Sequence, residues 1–111
     1  MATISNLVVD QGTTFSSIIT ITNQDGTPMD LTGYSVKSQF RKSYQSSTAI
    51  NFTASIYDAN AGEVRLQLAP ADTTGVRAGR YLYDIELTSP SNEKIRALEG
   101  LVILTPEITK T

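Results

Sequence analysis

Apolar side chains recur at every second residue in one segment after another of this chain. That is the spacing of a β-strand, whose side chains alternate between two faces. Over residues 13–22, Phe15, Ile19 and Ile21 fall on one face, with Ser16 and Thr20 opposite. Residues 34–42 set Val36, Ser38 and Phe40 inward and Lys37, Gln39 and Arg41 outward, and residues 50–57 align Phe52, Ala54 and Ile56. The plainest alternation is residues 63–69, where Val64, Leu66 and Leu68 oppose Glu63, Arg65 and Gln67. Residues 80–88 place Tyr81, Tyr83, Ile85 and Leu87 together, and residues 94–105 form a long last strand containing Gly100. With a first strand at residues 4–9, about seven short strands are predicted and no convincing helix.

Turn residues punctuate these segments. Asn23-Gln24-Asp25-Gly26, Asp58-Ala59-Asn60-Ala61-Gly62 and Ser89-Pro90-Ser91-Asn92 each supply residues that accept the backbone angles of tight turns. Hairpin-like links join three strand pairs, while longer crossings at residues 28–33 and 70–79 carry the chain between sheets. The crossing at 70–79 resembles a short helical turn, and Pro106 ends the last ladder. Many short strands with such turns predict an all-β fold, an immunoglobulin-like antiparallel β-sandwich, with a small closed barrel as second choice. The expected core is Phe15, Ile19, Ile21, Val36, Phe40, Phe52, Ile56, Val64, Leu66, Leu68, Tyr81, Tyr83, Ile85 and Leu87.

The 111 residues are one domain's worth, spanning 1–111 without a linker or repeat. With no Cys and no His, the chain lacks thiol nucleophiles, disulfides and the dyads of nucleophilic catalysis. The same absence removes nearly every zinc, haem or iron–sulfur site. Nine bases against eleven acids, a net charge of −2, leave no basic stripe for nucleic acid. No stretch approaches the ~18 apolar residues that span a bilayer, and the first residues lack a secretory signal. The expectation is a non-enzymatic domain without metal or cofactor, made in the cytoplasm and bound to neither membrane nor nucleic acid.

Asp84 and Glu86 lie two apart on an outward face, with Arg80 and Arg96 near. Paired carboxylates serve acid–base chemistry in glycosidases, but without a pocket or nucleophile in sight these four read as solvated charges pairing across strands. Asp10, Asp25, Asp30 and Asp58 sit in turns, where Asp hydrogen-bonds its own backbone, and none forms a calcium-loop run. Gly12, Gly26, Gly62 and Gly79 mark strand ends rather than a phosphate loop. Tyr81 and Tyr83 face the core, and Tyr81, following the 70–79 crossing, suits a tyrosine corner.

The last strand has apolar residues on both faces. If Leu98, Gly100, Val102 and Leu104 face the core, Leu101 and Ile103 face out beside Leu82, and apolar residues on an outer sheet face mark an interface. Alternatively a bulge at Gly100 swaps the phase and buries everything in one core.

Several segments resemble a family of small immunoglobulin-like structural proteins of tailed bacteriophages, including the N-terminal domain of baseplate upper proteins. They are Gly12-Thr13-Thr14-Phe15, Asp30-Leu31-Thr32-Gly33-Tyr34 before Phe40-Arg41, and Gly79-Arg80-Tyr81-Leu82-Tyr83-Asp84-Ile85-Glu86-Leu87-Thr88, followed by Leu98-Glu99-Gly100 and Pro106-Glu107-Ile108-Thr109. Where relatives tend to have polar residues after the Gly100 position, this chain has Leu101 and Ile103. The resemblance implies a virion component of the tail, baseplate or fibre-attachment region that docks onto other virion proteins as a homo-oligomer or in many copies. A head-decoration or neck protein is the second reading. A carbohydrate-binding module, using Tyr44 and Tyr57 as exposed aromatics, is the alternative of another class. The expected interface is Leu82, Leu101 and Ile103, rimmed by Arg80, Asp84, Glu86 and Glu99.

Overall fold

A computed structural model describes residues 3–43, 45 and 49–106. Tyr44, residues 46–48 and Glu107-Ile108-Thr109 of the segment that closes the phage resemblance lie outside them. The strands are β1 (Thr3–Ile4), β2 (Leu7–Asp10), β3 (Phe15–Thr20), β4 (Ser35–Arg41), β5 (Ile50–Asn51), β6 (Thr53–Asp58), β7 (Glu63–Leu68), β8 (Gly79–Thr88) and β9 (Lys94–Thr105). One short helix, α1 (Pro70–Thr73), occupies the second crossing.

Two sheets face one another. The larger runs β1-β9-β8-β4-β5, with β2 also on β9, and the smaller runs β3-β7-β6. The crossings at 28–33 and 70–79 do pass between sheets, joining β3 to β4 and β7 to β8. One sheet of B, E and D strands facing one of C, F and G strands is the immunoglobulin-type order. The sandwich is therefore as predicted, and not a closed barrel.

Three features depart from the sequence reading. The first strand is two, and both halves pair with β9 in parallel, so the larger sheet is mixed rather than wholly antiparallel. The segment 50–57 is also two strands in different sheets. β5 pairs β4, β6 pairs β7, and Phe52 is the corner, its N–H donating to Ser38 O at 3.0 Å. Phe15, Ile19, Val36 and Ile56, expected in the core, are only half-buried around its margin. The other ten expected core residues are buried. They are joined by Leu7, Val9, Leu31, Leu98, Val102 and Leu104.

Aromatic rings occupy the middle of that core. Phe40 has its ring centroid 5.3 Å from Phe52 and 5.3 Å from Tyr81, the latter edge-on at 80°. Such tilted contacts add to area burial by aligning ring edges with ring faces. The Tyr81 hydroxyl donates to Arg77 O, the expected tyrosine corner. The crossing is tied down again at its helix, where the fully buried Thr73 hydroxyl accepts from Gly12 N at 2.8 Å.

Candidate functional site

The split of the first strand is built on Gly100. The offset between partners is the same before and after the break, Ile4 facing Glu99 and Leu7 facing Val102. Between them the pairing is interrupted at Ser5 and Asn6, although the Ser5 N–H still donates to Glu99 O at 2.9 Å. A Cβ on Gly100 would lie 1.8 Å from Ser5 O, so the carbonyl fills the space a side chain would take. The Tyr83 hydroxyl, from the strand alongside, donates to that same oxygen at 2.8 Å. Asn6 Oδ1 then accepts from Leu101 N at 3.0 Å, replacing the lost backbone partner. Burial pushes the Tyr83 phenol up from its ordinary range.

Gly100 keeps its register opposite Tyr83, so the bulge reading at Gly100 is overturned. The irregularity falls at Ala97, because Glu86 pairs with Arg96 while the next β8 residue, Ile85, pairs with Leu98. From there Leu98, Val102 and Leu104 are buried, and Leu101 and Ile103 stand on the outer face. Leu82 lies directly opposite Leu101, and Arg80 opposite Ile103.

All seven residues expected at the interface thus share one face of the larger sheet. Leu82, Leu101 and Ile103 are half-buried there rather than open, Arg80 is exposed, and the three carboxylate residues are half-buried. Asp84 and Glu99 face each other across strands, a like-charge pair that Arg96 bridges, at 3.1 Å to Asp84 and 3.3 Å to Glu99. Of the four charges expected to pair across strands, Asp84 is joined to Arg96 and Glu86 lies opposite Arg96 in register, while the second carboxylate on Arg96 is Glu99. Beyond this set, Gln39 donates to Asn51 Oδ1 at 2.7 Å and accepts from Arg41 at 3.1 Å.

Leu82, Asp84, Glu86, Arg96, Glu99 and Leu101 line a groove of about 530 Å³ floored by β8 and walled by β4 on one side and Asn6 with β9 on the other, and Arg80 and Ile103 lie outside its lining. Sequence reasoning missed Asn6, Gln39 and Arg41 as groove residues. It also missed Val8, 64% exposed and in register with Ile103, which extends the apolar strip to the sheet edge. Val8 was legible only as an ordinary strand residue, because its neighbour across the sheet is ninety-odd positions away.

The remaining candidates have partners of their own. Asp25 and Asp30 each accept from the hydroxyl and N–H of the Thr two residues on, bonds that hold both carboxyls below their ordinary range. Asp58 accepts from Ala61 N and Asp10 from the Thr105 hydroxyl. Tyr57 is 51% exposed on the smaller sheet, with the Arg65 guanidinium 4.5 Å over its ring. Among the described residues, no group of acidic side chains is placed to hold a metal ion, and no helix is long and apolar enough to cross a membrane.

No protein-family model and no curated protein matches the sequence. Among solved structures, the chain is similar to the Listeria monocytogenes internalin-like protein lmo2027, at 11% identity and a TM-score of 0.46. That match covers 96% of this chain, which spans only 28% of the internalin-like one. It is also similar to a VGSC β subunit studied for multimeric cell-adhesive interactions, at 12% identity and a TM-score of 0.44, covering 96% of this chain and 93% of the other. The fold assignment rests on the strand order and register above.

Proposed function

We propose that this chain is a non-enzymatic structural component of a tailed-bacteriophage virion, docking in the tail, baseplate or fibre-attachment region through the outer face of its larger sheet. The observation that carries the docking is the apolar strip Val8, Ile103, Leu101 and Leu82 on the outer face of the larger sheet, flanked by the charges of Asp84, Arg96 and Glu99. Each aliphatic side chain contributes roughly 1–3 kcal/mol when a contact takes it fully out of water. The Asp84–Arg96–Glu99 set and Arg80 form a polar rim that orients the partner more than it adds affinity. Support for the virion setting is the sequence resemblance, chiefly Asp30-Leu31-Thr32-Gly33-Tyr34 and the β8 run from Gly79.

The test is to purify particles from a host carrying the gene and quantify this chain's peptides against those of the tail and head proteins. Multi-copy incorporation at a tail-like ratio is expected. Abundant chain in the lysate with none in particles contradicts the reading, and a head-like ratio favours decoration or neck. Sugar binding is disfavoured because Tyr57 already carries Arg65 on its ring and lies on the other sheet.

A further inference from the structure

We infer that β3 is a docking edge for a second copy of this chain, the two β3 strands pairing antiparallel about a two-fold axis at Ile18. This surface belongs to the smaller sheet, and the inference stands independently of the virion reading.

An unpaired strand edge is a template for another strand, and proteins blunt such edges with charges, prolines, bulges or short length. The other edges here are blunted. β6 carries a bulge before Asp58, the first strand is broken at Ser5 and Asn6, β5 is two residues long, and the stretch of β4 beyond it bears Lys37. β3 has none of these. It is six residues, Phe15-Ser16-Ser17-Ile18-Ile19-Thr20, and no charged residue occurs between Asp10 and Asp25. It pairs with β7 on one side and with no described strand on the other.

The pattern is self-complementary. Ile21 donates to Gly62 O at 2.7 Å, continuing the ladder in which Ile19 faces Val64 and Ser17 faces Leu66. Alternate residues of an antiparallel strand turn both backbone groups the same way, so those of Ser16, Ile18 and Thr20 point to the open edge. Placing Ile18 opposite its own copy sets Ser16 opposite Thr20 on both sides and keeps both cores on the same face of a continuous sheet. Ile18 is 45% exposed, and in this register two of them cover each other as an apolar cross-strand pair. No like charges meet on the axis, as an isologous contact requires.

Sedimentation equilibrium of the full chain tests this with Ile18→Lys and Ile18→Glu, which oppose two like charges on the axis. The wild type is expected to shift from one 12.0 kDa chain toward two as concentration rises. Each variant alone should stay monomeric with a near wild-type thermal midpoint, and mixing the two should restore dimers. A wild type that is monomeric throughout, or dimers that both variants retain, overturns the inference. Should the charged variants fail to fold, Ile18→Cys decides, since the chain has no other Cys and directly opposed residues lie about 5.5 Å apart at Cα, within disulfide range. Oxidation should cross-link it faster than Ser55→Cys on the bulged edge, and equal rates overturn the inference.

Discussion

Phe40 is fully buried and touches Phe52 and Tyr81 at 5.3 Å each, so Phe40→Ala removes the ring on which two others lean. The expected cost is about 3–5 kcal/mol in urea unfolding, and a cost below about 1 kcal/mol contradicts its central place. Gly100 is a different kind of residue, needed for the space it leaves. Gly100→Ala drives a methyl into Ser5 O and breaks the Tyr83 bond, for a loss of about 1–3 kcal/mol by overpacking. Tyr83 also gives the fold an alkaline dependence. Its phenol is raised in the folded state, so its share of stability is complete below the unfolded value near 10 and is lost as pH climbs through the folded one. Tyr83→Phe should weaken the fold at neutral pH, by about 1 kcal/mol for a lost hydrogen bond. It should also flatten the fall in thermal midpoint above pH 10, and an unchanged alkaline slope contradicts the assignment.

At the scale of elements, the alternation of β4, β7 and β8 was legible because each keeps one face on the core from end to end. The breaks were not. Phe52 alternates in phase with Ala54 and Ile56, so nothing local shows that the chain changes sheets there. Its N–H turns to Ser38 because of where β4 lies. The parallel pairing of β1 and β2 joins residues some 95 positions apart, a distance at which periodicity is silent. In β9 the apolar residues on both faces allow either an outward apolar patch or a bulge at Gly100. The bulge sits at Ala97 instead, leaving Gly100 to receive Ser5. The charges on this element contribute little to folding, since Arg96 is half exposed in both ion pairs. Arg96→Ala is expected to change stability by less than about 1 kcal/mol, checked by thermal unfolding. In the docked state it should do more, by leaving Asp84 and Glu99 face to face.

For the whole molecule, the two sheets divide the work. Their inner faces hold the aromatic core, the smaller sheet offers the bare edge of β3, and the larger offers the apolar strip and groove. The outer face of the larger sheet is set with Leu82, Leu101 and Ile103, the residues on which the proposed docking rests. The central claim is that Leu101 and Ile103 serve a partner and not the fold. Incorporation of a Leu101→Ser, Ile103→Ser double variant into particles, measured beside the thermal midpoint of the isolated chain, tests it most directly. The account predicts a folded chain, with a modest drop in midpoint, whose incorporation falls at least tenfold, the effect of ~1.4 kcal/mol. A folded variant incorporated at the wild-type level, or one that no longer folds, contradicts it.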